Sequence, residues 1–200
     1  MRVGLIDYGA GNMYSILCGL ERANLDTSVI ANPQDLASVD AVVIPGVGNF
    51  SQASQELLRF RTSLQETAKE GRIILGICLG MQILLEQSEE GEGEGLGLIE
   101  GSVKRLPSDV KVPHMGWNTI EWTTDSPLLS GISEGSYFYF VHSYYAAPRQ
   151  HSRIVATTNH GVDFPSIITK DSVFGVQFHP EKSGEFGAAV LNNFRSMLVR

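Results

Sequence analysis

Only two cysteines occur in 200 residues, Cys18 and Cys78, and they share no metal-ligand spacing. That scarcity excludes a disulfide-stapled scaffold and a thiolate zinc site, and it leads us to expect a reducing, cytoplasmic setting. No cluster of lysine or arginine interrupts a net charge of −7, so the chain offers no electrostatic footprint for nucleic acid, and its acidity reads as solubility. No apolar run approaches the roughly 20 residues of a membrane span. The first apolar segment meets Asp7 too early for a secretory signal. Gly9-Ala10-Gly11-Asn12 lacks both the third glycine of a dinucleotide fingerprint and the Lys-Ser/Thr of a P-loop. We read it as a surface turn that could contact a partner. Repeats, low-complexity tracts and flexible linkers are missing too, so one domain over residues 1–200 is expected.

What is present is an ordinary globular composition, 42% hydrophobic and 18% charged. The first ninety residues alternate strand and helix: strands over 3–6, 27–31, 41–44 and 72–75, helices over 12–23 and 51–69. Short all-apolar strands between helices indicate a parallel sheet covered on both faces, with ligands gathering at the strands' C-terminal edge. The glycine- and glutamate-rich stretch 91–97 ends this alternation. Beyond it, shorter strands are predicted over 102–106, 117–121, 137–141, 153–158, 166–169 and 173–178. Lys170-Asp171-Ser172 reads as the hairpin turn between the last two. An amphipathic helix over 185–198 closes the chain. The expected fold is α/β and flavodoxin-like, with a mostly parallel central sheet, helices on both faces and a mixed or antiparallel extension.

Gly76-Ile77-Cys78-Leu79-Gly80 follows a β-branched run and precedes a helical pattern over 79–88. This is a nucleophile elbow with cysteine in the serine position. Flanking glycines permit the sharp turn, and a helix N-terminus favours thiolate over thiol. A free cysteine is as often a small buried apolar residue, the role assigned to Cys18 on the stripe of Ile16, Leu17 and Leu20. Near the C-terminus an alternating segment runs into His179-Pro180-Glu181. Proline biases the preceding residue toward extended geometry, in which residues two apart share a face. His179 and Glu181 thus suit an imidazole that takes a thiol proton while a carboxylate orients it. Pro45-Gly46-Val47-Gly48, directly after the third strand, can present backbone N–H groups to an oxyanion, each donor contributing about 3–4 kcal/mol.

With these residues assembled, the chain resembles the class I (triad-type) glutamine amidotransferases over its full length. The likeness is carried by Asp7-Tyr8-Gly9-Ala10-Gly11-Asn12, the Pro45–Gly48 loop and Gly76-Ile77-Cys78-Leu79-Gly80-Met81-Gln82. His114-Met115-Gly116-Trp117-Asn118, Tyr139-Phe140-Val141-His142-Ser143-Tyr144 and residues 175–183 carry the rest. Within the family, the proline-glycine loop and the His-Met-Gly-Trp-Asn segment narrow it to glutaminase subunits that hand ammonia to a separate (β/α)8-barrel cyclase in histidine biosynthesis.

The resemblance implies that Cys78 attacks the side-chain amide of glutamine. His179 serves as base and then protonates the ammonia, and Glu181 holds the imidazole. It implies an oxyanion hole from N–H groups of Gly46, Val47, Gly48 and Leu79, and a glutamine site at Gln82, Glu90, Ser143 and Tyr144, with Glu89 beside Glu90 as a competitor. Asn12, Tyr139 and Lys182 fall near the expected partner face, Lys182 linking the two sites. No cofactor, metal, nucleic acid or membrane is implied. The isolated chain would be nearly inactive, with Val47 as a switch. A glutaminase serving another synthase, a stand-alone γ-glutamyl hydrolase and a non-enzymatic redox-sensing module remain open at this point.

Overall fold

The computed structural model describes residues 1–9 and 12–199. Ala10 and Gly11 of the expected partner-contacting turn lie outside the described residues. Those described form thirteen strands and five α-helices. The first half runs β1 (Arg2–Ile6), α1 (Met13–Arg22), β2 (Asp26–Ile30), β3 (Ala41–Ile44), α2 (Phe50–Leu57), α3 (Arg61–Lys69), β4 (Ile73–Ile77) and α4 (Leu79–Gln82). The second half runs β5 (Gln87–Ser88), β6 (Gly101–Arg105), β7 (His114–Thr119), β8 (Glu121–Trp122), β9 (Tyr137–His142), β10 (Tyr144–Pro148), β11 (Ile154–Asn159), β12 (Asp163–Lys170), β13 (Val173–Val176) and α5 (Gly184–Leu198).

The central sheet has the order β2-β1-β3-β4-β13-β12-β11-β8. β2, β1, β3, β4 and β13 are parallel, and β12, β11 and β8 extend the sheet antiparallel. Along the parallel strands, alternate side chains enter two separate cores. Val3, Leu5, Val43, Leu75, Ile77 and Val176 pack with Ile16 and Leu20 of α1 and Val190 and Phe194 of α5. Val42, Ile44 and Ile74 pack with Phe50 and Leu57 of α2 and Leu64 of α3. Burying each such side chain contributes about 1.5–3 kcal/mol, which is why these strands read as apolar throughout. Beside this sheet lie a three-stranded sheet, β10-β6-β5, and a two-stranded ribbon, β7-β9.

Several boundaries differ from the sequence reading. The helix predicted over 51–69 is α2 and α3, joined by a 3₁₀ turn at Leu58–Phe60. Its apolar stripe runs on through the break, so periodicity could not reveal it. The helix predicted over 79–88 is only the single turn α4. The carbonyls of Ile83, Leu84 and Leu85 instead accept from the N–H groups of Leu96, Leu98, Ile99 and Gly97. Those tertiary bonds replace the helical ladder. The strand predicted over 117–121 is two strands in different sheets, β7 and β8. Cys18 is half-buried rather than part of the core.

Candidate active site

β1, β3, β4 and β13 all end on the same edge of the central sheet, and their C-terminal loops build the site. β4 delivers Cys78 at φ 55°, ψ −111°, left-handed backbone that non-glycine residues seldom adopt. The strain is held by close packing: a Cβ on Gly80 would collide with the Ile44 carbonyl oxygen, and one on Gly76 with the Gly80 carbonyl oxygen. Cys78 N–H donates to Val176 O at 2.8 Å, tying the elbow to β13. The residue is 5% exposed. Its sulfur lies 3.7 Å from both Val141 O and Gln177 Nε2.

β13 stops at Val176, and Pro180–Lys182 form a 3₁₀ turn. The turn, not strand alternation as the sequence suggested, brings His179 Nδ1 within 2.8 Å of Glu181 Oε1. Both side chains are 1% exposed. Ser183 Oγ donates to His179 O at 2.6 Å, and His179 N–H donates to Tyr139 O at 2.9 Å, so the turn is fastened at both ends. Burial works against a charge on His179, but Cys78 and the Glu181 carboxylate outweigh it and raise the imidazole from 6.5 to about 10. The buried Nε2 has no hydrogen-bond partner among the described residues, so Cys78 acts on the ring as a nearby group and not through a formed bond. The balance favours the imidazolium form of His179, with Nδ1 on the Glu181 carboxylate.

Cys78 opens into a pocket of about 240 Å³ lined by Val47, Gly48, Leu79, Gln82, Glu90, Pro113, Val141, His142, Ser143 and Tyr144. Seven of the residues singled out from sequence beside Cys78 thus meet around one cavity. Among the described residues, the N–H groups of Val47, Gly48 and Leu79 have no backbone acceptor. Gly46 does not line the pocket; it packs against the elbow, where a Cβ would sit 2.5 Å from Gly80 N. Tyr8, buried, donates to Pro45 O at 2.7 Å and holds the base of this loop. Its phenol is raised by burial and by the nearby Cys78. Gln82 Nε2 donates to Tyr144 O at 2.7 Å and to Gln177 Oε1 at 3.2 Å.

The neighbouring glutamates separate cleanly. Glu89 turns outward to Lys104, Oε1 to Nζ 2.7 Å. Glu90 faces the pocket, accepting the Phe50 N–H at 2.7 Å, and burial raises its carboxyl against that hydrogen bond. Asn12 caps α1 by accepting Ser15 N–H at 3.3 Å, away from the pocket. Lys182 Nζ lies 5.8 Å from the centre of the Tyr139 ring, also outside the pocket. Sequence reasoning did not single out Pro113, and it gave Val141, His142 and Gln177 no role in the site although they lie in stretches that carry the resemblance. The inward phase of His142 on β9 was the available signal, hidden because that strand was ended one residue early.

A cysteine on a strained elbow opens into a cavity rimmed by amides without backbone acceptors, and a buried histidine–carboxylate pair lies outside the cavity lining in the loop after β13; this is the arrangement of an enzyme with a cysteine nucleophile. The sequence model of the glutamine amidotransferase class-I family matches residues 4–197, and the chain belongs to that family. It is 48% identical over 198 residues to the imidazole glycerol phosphate synthase subunit HisH of Halobacterium salinarum, covering 95% of this chain and 90% of that protein. It is 46% identical to the subunit of the same name from Methanocaldococcus jannaschii, covering 98% and 100%. Among solved structures, PurLQS from Thermotoga maritima shares the fold with a TM-score of 0.80 at 19% identity, covering 98% of each chain. The glutaminase domain of Trypanosoma brucei CTPS shares it with a TM-score of 0.73 at 16% identity, covering 100% of this chain and 94% of that one.

Proposed function

We propose that this chain, as one domain over residues 1–200, is the glutaminase subunit of an imidazole glycerol phosphate synthase. In this reading it hydrolyses glutamine and passes the ammonia to a (β/α)8-barrel cyclase in the cytoplasm. The observation that carries the proposal is the convergence of Cys78, the proposed amide donors and the proposed glutamine-binding residues on one pocket. The likeness to the HisH subunits supports the choice of synthase.

Cys78 sulfur attacks the glutamine side-chain amide carbon, forming a carbon–sulfur bond and an oxyanion that Val47, Gly48 and Leu79 N–H groups face. The tetrahedral intermediate collapses, and His179 gives its proton to the departing nitrogen, releasing ammonia. Acylation takes the Cys78 sulfur away from the two partners that raise His179. The imidazole, now neutral and still oriented by Glu181, takes a proton from water as the water attacks the thioester. Glutamate leaves and the sulfur is restored.

Glu90 and the Ser143–Tyr144 backbone hold the glutamine head group. An outward apolar face on the β7–β9 ribbon supports a protein partner: Met115 is 60% and Trp117 55% exposed, with Tyr137 alongside. Tyr139 and Lys182 border that face, and Asn12 is placed with them by resemblance alone. Val47, 40% exposed at the pocket rim, would re-aim its amide when the partner docks.

The test is glutamate release measured with and without a barrel cyclase and its ribonucleotide ligand. The proposal expects a slow chain that the complex accelerates. A rate indifferent to both additions would refute the coupling, and no release under any condition would refute the activity.

A further inference from the structure

The inner face of the β7–β9 ribbon carries a chain of hydrogen bonds that the chemistry above does not use. Asn118 Nδ2 lies 3.2 Å from His114 Nε2, His114 Nδ1 lies 3.0 Å from His142 Nε2, and His142 Nδ1 lies 2.9 Å from Tyr144 O. Both rings are buried.

The direction of the chain is determined from each end. Tyr144 O can only accept, so His142 carries its proton on Nδ1 and presents a bare Nε2. His114 must then donate from Nδ1 and accept at Nε2. At the other end Asn118 Oδ1 accepts Thr119 N–H at 2.8 Å and its Nδ2 also donates to Asn159 O at 2.9 Å, so the amide can only donate to His114. One tautomer of each neutral ring satisfies every bond. A proton added to either ring would unmake at least one link. The two rings meet edge-on, 82° apart, and bond to one another instead of converging on a point, and among the described residues no group of three or more His, Cys, Asp or Glu could hold a metal. His114 is further clamped by Phe140 at 5.0 Å and His160 at 4.2 Å between ring centres.

The chain ends on the Tyr144 carbonyl, which Gln82 Nε2 also grips, and Ser143 and Tyr144 line the pocket. We infer that His114 is a positioning residue: by donating to His142 it locks the Ser143–Tyr144 backbone into the shape that receives glutamine. This rests on the reading that the pocket takes glutamine. Removing the donor leaves His142 Nε2 as a buried, unpaired acceptor, a cost the segment relieves by shifting away from its binding geometry.

The experiment is steady-state glutamine hydrolysis by the complex with the barrel synthase, for the unaltered chain, His114→Phe and His114→Asn. Phe keeps the stacking and loses the donor, whereas Asn restores an amide N–H near the Nδ1 position. The expectation is about a tenfold rise in KM for His114→Phe with kcat within about threefold, and KM within about threefold of the unaltered chain for His114→Asn. An unchanged KM in His114→Phe overturns the inference. So does a parallel fall in kcat and Tm with a rise in KM in both variants, which marks a purely structural role. Nitrogen-15 histidine spectra at pH 7 give a test independent of the variants. His142 protonated on Nδ1 alone supports the relay, and an Nε2–H or doubly protonated ring overturns it. An unaltered complex that releases no glutamate, with the His142 tautomer as expected, condemns the glutamine reading and leaves the hydrogen-bond chain standing without that substrate.

Discussion

His179, paired with Glu181, and the ribbon histidines His114 and His142, of which His142 lines the pocket, are all buried yet differ in charge. On the triad side, burial alone would keep His179 neutral, yet Cys78 and Glu181 raise it to about 10. On the ribbon side, burial lowers His142 to about 3 and His114 to about 4, and their neighbours are other histidines, a carbonyl and an amide, with no carboxylate among the causes. The side chain is the same and the depth similar. What differs is whether a negative partner offsets desolvation, and that difference sets which ring is charged and which stay neutral; it is what proton transfer by His179 and rigid positioning by the ribbon pair, as proposed, would each require.

The sharpest way to break the comparison is to remove its charged side. Cys78→Ala is expected to lower glutamine turnover by about 10⁴-fold or more, read as glutamate release by the complex. Glu181→Gln should cost about 10²–10⁴-fold in kcat, because the imidazole loses both its orientation and a stabilising charge. His179 should then titrate lower by nuclear magnetic resonance; an unmoved titration would mean that Glu181 does not hold its proton.

Stability against pH separates the two sides by sign. For His179 the folded value lies above the ordinary 6.5, so its contribution is full below about 6.5 and is lost as pH rises through about 10. Urea unfolding should show the gap between the unaltered chain and Glu181→Gln narrowing from pH 6.5 to 10. For His114 and His142 the folded values lie below 6.5, at about 4 and about 3. Stability should fall as pH drops from 6.5 toward 4, since the unfolded chain takes up protons that the folded one refuses. His114→Asn should flatten that acid limb and leave the alkaline limb alone.

Smaller effects test the outer face and the spare thiol. Trp117→Ala is expected to weaken synthase binding by about 2 kcal/mol, measured by titration calorimetry, because exposed aromatics are frequent anchors of such interfaces. Cys18→Ser, half-buried and remote from the pocket, should leave turnover within about twofold.

Much of this was legible before any coordinates. Apolar strands alternating with helices announced the parallel core, and glycines on both sides of Cys78 announced the elbow, because each is dictated by local sterics. The helix after the elbow was overestimated, since nothing local shows that residues 96–99 capture the carbonyls of Ile83–Leu85. His179 and Glu181 were paired for the wrong reason: a 3₁₀ turn, not a strand, brings them together. The ribbon histidines escaped notice as functional residues, because their meaning depends on a cross-strand register, His114 opposite His142, that a single sequence does not encode locally. Glu90 could be told from Glu89 only once Lys104 was seen to draw Glu89 outward.

The central claim is tested most directly by covalent trapping. The complex is treated with an electrophilic glutamine analogue, and its peptides are mapped by mass spectrometry. The account predicts one adduct, on Cys78, suppressed by excess glutamine and slowed when His179 is replaced by Asn. Labelling of Cys18 instead, or a Cys78 adduct that glutamine does not protect against, would contradict it.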